Sequence, residues 1–564
     1  MALILLFLFA LACGHGASAG AGKPAASPGT PAPAVAPADA SRAAAELSEE
    51  THNLIRAEGE LLWTRWTTGA GPLPSSALAE HPRLARRESI EAVTVAAGAA
   101  RGADAEALRL LAQQLATLGV AREARDEIDA LETARAQLSF ALPGEKRATL
   151  GERDLDRLLL DEPSAQKRAG IAAAEARAAR PLAPLALARD AAVDKAVAAL
   201  GLGSWTALEE RAVRMPLAQL ADLAERTLSA TEEVGTRAVA ASSVRNLGIT
   251  ADRMRRADLP RLARIAIADP QFTAGQAWPA ARTVFTSIGA QPPPALRLDG
   301  EPSPSKGARP LALLVDPPID VRLSLRPAGG FEEQRATFHE GARALGGLFT
   351  RAPRWELAQL GDGSAAEGAA QLFEALAGDP QWLRAVTQLR GEPLDDVVHT
   401  EATRRLLAAR RAAALVLFEL RRREGPATSE AQEALYRGLL QRALFCVLSD
   451  DDAARWALEA DPMLRAATPL LGAVLAAQLE QKLGPSWWSA PQPALPKLWA
   501  GGRSLTALEA ARALGMAQLD PAALAAVADE RLRYAAPDPP PAAQKPDYKY
   551  MQGDKKKRHR KKKK

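Results

Sequence analysis

The sequence predicts an almost wholly α-helical protein, and three observations carry that prediction. Ala, Leu and Arg dominate the chain, and these residues lose least on entering a helix. Aromatic residues make up only 4%, and β-branched residues are sparse outside a few segments, so the material for a large sheet is missing. From Arg42 to about Arg533, apolar residues recur at spacings of three and four, as in EALRLLAQQLATLG (106–119) and LAQLADLAERTL (217–228).

Hydrophobic residues form 47% of the 564, enough for a large core. Gly119, Gly201-Leu202-Gly203 and Pro260 read as helix stops. No repeat of fixed period is present, which disfavours a solenoid. One stretch, ARPLALLVDPPIDVRLSLRPAGG (308–330), leaves the helical pattern. Its apolar runs 311–315 and 319–325 flank Asp316-Pro317-Pro318, and Val321, Leu323 and Leu325 alternate with polar residues. That predicts a strand pair around a proline turn, immediately before a helix starting near Glu332. The preceding QPPPALRLDGEPSPSKGARP (291–310) reads as loop.

The two ends differ from the body. Residues 2–12, ALILLFLFALA, are continuously apolar, too short to span a bilayer and of the length of a signal-peptide core. Two exits are open. FALAC ending at Cys13 resembles a bacterial lipoprotein box, with Cys13 lipidated; Ala17-Ser18-Ala19 before Gly20 fits ordinary cleavage. The departure is that no Lys or Arg precedes the apolar run. The expectation is an exported protein: a signal over 1–19, a Pro/Ala/Gly linker over 20–41, a helical domain over 42–535 and a polybasic tail over 536–564. It would be a bacterial-type periplasmic or outer-surface lipoprotein. No later run reaches 18 uncharged apolar residues.

The net charge of +5 belongs to the tail. Nine of the last ten residues are Lys or Arg, and without them the body is net acidic. The tail reads as a solvated end or as an electrostatic attachment to an anionic surface. Export and the lack of interleaved aromatics argue against nucleic acid. Besides Cys13 there is only Cys446, set among Leu444, Phe445, Val447 and Leu448, which predicts a buried, inert thiol and no disulfide framework.

The chemistry concentrates in ATFHEGARALGGLF (336–349). On a helix, positions i and i+4 share a face, and a zinc peptidase places a His at both, with Glu after the first as general base. Here His339 and Glu340 are present, but the second position is Arg343. A lone His-Glu pair is weak evidence; its flanks strengthen it. The string resembles the FHExGHALH of the helical zinc metallopeptidases, which include thimet oligopeptidase, oligopeptidase F and angiotensin-converting enzyme. In that family a third ligand, a Glu, follows the first His by a little under thirty residues; Glu367 stands 28 after His339. The resemblance also takes in RAEGELLWTRWTT (56–68), AVDKAVAALGLGSWTAL (192–208) and LLGAVLAAQLEQKLGPSWWSAP (470–491). It covers roughly residues 46–530. It implies one helical ellipsoid split by a deep channel, with an edge strand beside the motif helix that holds substrate backbone.

The chain departs from the family where the chemistry is. Guanidinium is cationic and offers only N–H donors, so Arg343 cannot ligate zinc, and His339 with Glu367 falls one short of the three protein ligands of a catalytic site. The Tyr and His that the family supplies from its C-terminal helices to stabilise the oxyanion also have no clear counterpart. Between Thr400 and Arg558 there is no His, the folded part has only Tyr436 and Tyr534, and Thr468-Pro469 stand about where an aromatic hydroxyl is expected. His399 matches no family position. Arg343 is expected to replace the metal and pair with Glu367 or Glu340, because otherwise buried carboxylates are left uncompensated.

Three functions follow. The first is an exported, metallopeptidase-like protein without catalysis, with a binding or scaffolding role, no cofactor, a peptide in its channel, and membrane attachment through a Cys13 lipid and the basic tail. The second is an active zinc-dependent oligopeptidase or carboxypeptidase with a rearranged site. The third is an unrelated helical lipoprotein. Ligand chemistry favours the first.

Overall fold

The computed structural model describes residues 37–141 and 149–536. Cys13, both cleavage sites, most of the linker and the basic tail lie outside them. About 70% of the described residues are helical. The 106–119 and 217–228 patterns fall within helices Gly102–Glu123 and Leu217–Ala230. No helix among the described residues is long and apolar enough to cross a membrane.

Three boundaries differ from the sequence reading. The first helix, α1 (Pro37–Thr68), starts before Arg42, because Ala40 and Ala44 are buried against the core and proline is tolerated in a first turn. Gly119 does not stop a helix. It lies inside Gly102–Glu123, where a Cβ would stand 3.0 Å from Leu200 Cδ1, so the residue permits close helix packing. Pro260 falls in the first turn of the short helix Leu259–Leu262 and begins rather than ends it. Gly201 and Gly203 do follow the end of helix Ala183–Ala199, both at positive φ.

The sheet contains the two expected strands and a third. β2 (Leu311–Asp316) and β3 (Asp320–Ser324) are antiparallel around the Pro317–Pro318 turn. β1 (Leu296–Asp299) pairs parallel to β3, so the order is β1-β3-β2. This corrects the loop reading of 291–310. Leu-Arg-Leu-Asp is too short to announce itself; β3 supplies its partner, and buried Lys306 pins the return by donating to Asp299 Oδ1 (2.6 Å) and the Leu325 carbonyl (3.1 Å). A two-stranded hairpin, Ser139–Ala141 with Thr149–Gly151, was also not legible.

The order leaves β2 at an edge, beside the motif helix α2 (Phe331–Leu348). Gly347 makes that contact close: a Cβ there would overlap Leu314 and press on Val321. Helix α3 (Ser364–Glu374) carries Glu367 and crosses α5 (Ala467–Leu483), with the long α4 (Glu392–Arg422) packed on α5. At the crossing, a Cβ on Gly472 would stand 2.7 Å from Glu367 Cγ, and one on Gly368 would stand 2.7 Å from Leu475. These two glycines let α5 hold the backbone of Glu367 in place. One apolar cluster runs from Ala40 to Val527 and includes the inner faces of all these elements.

Candidate functional site

Helix periodicity puts His339, Glu340 and Arg343 on adjoining parts of the buried side of α2, and Phe338 anchors that side edge-on to Trp382 at 5.1 Å. His339 is 5% exposed. Its Nδ1 lies 3.0 Å from Glu340 Oε1 and its Nε2 lies 3.3 Å from Glu367 Oε1, with Glu374 Oε2 at 3.9 Å. Burial alone would push this imidazole down. Glu367, Glu340 and Glu374 overrule that and hold it up at about 10. His339 is therefore an imidazolium, donating one N–H to each neighbouring glutamate.

Each carboxylate is answered. Glu340 accepts the Ala312 backbone N–H of the edge strand at Oε2 (2.8 Å), while its Oε1 is shared between His339 and Arg343 Nη1 (3.4 Å). Burial works against its charge, but Arg343 and His339 hold its pKa below the usual range. Glu367 also accepts from Gln371 Nε2 (2.9 Å), which in turn reaches the Pro469 carbonyl (3.2 Å). His339 leads the groups that hold Glu367 down at about 2 against its burial. Glu374 lies between Arg335 and Arg404, the latter at 3.0 Å, and is likewise held down at about 2. The result is a continuous buried chain of alternating charge, from Ala312 N–H through Glu340, His339 and Glu367, with Glu374 and its two arginines alongside.

The structure thus brings together His339, Glu340, Arg343 and Glu367. Arg343 pairs with Glu340, not directly with Glu367; the cation that meets Glu367 is His339. Glu374, Gln371, Arg335 and Arg404 were missed. Gln371 and Glu374 follow Glu367 by four and seven residues on one helix face, a signal that could have found them. Arg335 and Arg404 carried no signal among so many arginines. Tyr436 is buried edge-on against Phe418 at 5.5 Å, away from the site. His399 ties α4 to the C-terminal segment through the Tyr534 carbonyl (2.9 Å). Thr468 does border the site, donating to the Asp362 carbonyl (3.0 Å). Cys446 is buried and free, and burial pushes its thiol up to about 12.

Both ring nitrogens of His339 lie against glutamates, both Glu340 oxygens are hydrogen-bonded, and Arg343, four residues on, has only N–H donors and cannot ligate a metal. No group of three or more His, Cys, Asp or Glu among the described residues is arranged to hold a metal.

The site opens on a cavity of about 1300 Å³. Edge-strand residues Ala312, Leu313 and Leu314 line it, with Arg343, Asp362 and Arg503 at one end and Glu58 and Glu209 along the walls. Glu209 is 1% exposed, and its Oε2 has no hydrogen-bond partner. Burial, aided by Asp461, pushes its carboxyl up to about 8 against the pull of Arg423 and Arg465. A folded-state pKa above the unfolded one contributes stability that is present below about 4.5 and is lost as pH rises to about 8. Glu209→Gln is expected to remove much of that slope, adding on the order of 2–4 kcal/mol at pH 8 and little at pH 4.5. Denaturant unfolding of both proteins at the two pH values checks this; parallel pH profiles would contradict it.

Neither a family model nor a curated protein matches this chain.

Proposed function

We propose that this is an exported, metallopeptidase-like protein that has exchanged its metal for an internal ion-pair chain and uses its cavity to bind rather than to cleave. The single observation that carries this reading is Arg343 facing into the site, 3.4 Å from Glu340, at the position where the resemblance implies a zinc ligand. The cavity of about 1300 Å³, walled in part by Ala312, Leu313 and Leu314, has room for a short peptide, which supports a peptide as the bound molecule. The export signal, a Cys13 lipid and attachment of the basic tail to an anionic membrane belong to the same proposal and rest on sequence alone.

The test is the metal content of the purified full chain after dialysis against zinc-containing and then zinc-free buffer, together with hydrolysis of a mixed peptide library. No retained zinc and no cleavage are expected. Stoichiometric zinc, or cleavage abolished by a chelator, would replace this reading with the second one, an active zinc peptidase with a rearranged site.

A further inference from the structure

Where the cavity meets the ion-pair chain stands a guanidinium, Arg503, that makes no salt bridge with any of the described residues. Arg503 sits in the short turn Gly502–Ser504, and its backbone carbonyl accepts from Gly363 N–H (3.3 Å), just before α3. Gly363 has no side chain, and a Cβ there would stand 3.1 Å from Arg503 Nη2. The guanidinium is therefore laid across the 361–363 turn, with its Nε shielded from solvent and without any hydrogen bond. Among the described residues, no ion pair or side-chain hydrogen bond engages its other nitrogens. Burial, together with the neighbouring positive charge of Arg343, pulls Arg503 down to about 10 against the weaker attraction of Asp362 and Glu367. The nearest acid, Asp362, is turned to the start of α3, where it accepts from Ser364 N–H (3.0 Å) and Ser364 Oγ (2.8 Å).

Arg343 is in a similar condition. Among the described residues its one hydrogen bond is the 3.4 Å bond to Glu340, and no other donor of its fork is paired there. Arg343 and Arg503 both line the large cavity and the adjoining small one of about 140 Å³, so they stand together where the two meet. Arg465 borders the same junction but has Asp461 within 3.6 Å. Two guanidiniums side by side repel, and each has planar N–H pairs that match a carboxylate. A bound anion would satisfy both.

We propose that Arg343 and Arg503 form a receptor for the free C-terminal carboxylate of a short peptide held in the large cavity. This rests on the binding reading above and deepens it: where the resembling enzymes hold a cation, this chain would hold an anion. The walls next to the junction are mixed, with Leu314, Leu360 and Thr468 beside the arginines, which suits a small or apolar last residue.

The probes are tetra-alanine, tetra-alanine amide and inorganic phosphate. Binding is followed by calorimetry and by the fluorescence of Trp499, which lines the small cavity. Tetra-alanine is expected to bind at least about tenfold more tightly than its amide, as a charge-assisted carboxylate pair would give. Arg503→Gln should remove that preference without lowering the melting temperature, because the guanidinium makes no bond within the protein. Arg503→Lys, which keeps the charge but not the fork, should retain part of it, and Arg343→Gln should also weaken it. Equal affinity for acid and amide, a preference untouched by Arg503→Gln, or no binding of tetra-alanine would each overturn the proposal. Tight binding of phosphate without tetra-alanine would overturn the peptide assignment and make this a free-phosphate site. Zinc content is read separately. A zinc-free protein with no acid preference fails this inference alone, whereas a zinc-loaded one fails the reading beneath it.

Discussion

His339→Gln is expected to destabilise the protein by about 3–5 kcal/mol near neutral pH, the usual cost of removing one partner from a buried charge group. The imidazolium is the middle of the chain. Without it, Glu340 keeps Arg343 and the Ala312 N–H, but Glu367 keeps only Gln371 as a direct partner. Glutamine fills similar space and can donate to one carboxylate, yet it brings no charge. The loss should depend on pH in a defined way. Glu367 is held down at about 2, so its share of the stability is present above the ordinary carboxylate pKa and is lost as pH falls toward 2. His339 is held up at about 10, so its share is present below about 6.5 and is lost as pH rises toward 10. The two overlap fully between about pH 4.5 and 6.5. The difference in unfolding free energy between wild type and variant, measured by denaturant titration across this range, should be largest there and shrink on either side. A difference under about 1 kcal/mol at pH 6 would show that His339 does not hold the glutamates together.

Arg343→His is expected to make the site take a stoichiometric amount of zinc. The substitution removes the cation and places imidazoles at i and i+4 of α2, with Glu367 across from them on α3, which completes three protein ligands. Zinc must displace the proton on His339, so affinity should rise steeply from pH 6 to pH 8. Zinc binding is expected without peptidase activity, because the oxyanion donors that the resemblance implies have no counterpart near the site among the described residues: Tyr436 is buried elsewhere, and Thr468 already donates to a backbone carbonyl. Dialysis against zinc followed by elemental analysis checks the first part, and a peptide-library assay checks the second. Failure of the variant to retain zinc at pH 8 would mean that the likeness of HEGAR to a zinc motif does not extend to geometry.

How much of this was legible beforehand varies by element. The helical class followed from composition and from spacings of three and four, because a helix must present an apolar stripe and the stripe is written in one dimension. The β2–β3 pair was legible for the same reason at period two, with Pro317-Pro318 marking the turn. β1 was not, because four residues of alternating character mean nothing until β3 supplies their partner. Gly119 was misread because a helix-breaking residue and a close-packing residue are the same residue; only the neighbours brought against it, Leu200, Ala85 and Ile90, distinguish them.

In the site, His339, Glu340 and Arg343 could be grouped from sequence because one helix carries them at fixed offsets, and Glu367 could be added from the family's spacing. By itself the sequence determined which of these groups can carry charge and that Arg343 cannot ligate a metal, since those are properties of the side chains. Which charges meet was decided by tertiary structure alone. The Gly368–Gly472 crossing sets Glu367 against His339 rather than Arg343, the edge strand lends Glu340 a backbone N–H, and a turn more than 130 residues downstream places Arg503 at the cavity junction. Electrostatic partnership depends on distance and burial, and neither exists until helices far apart in the chain have packed.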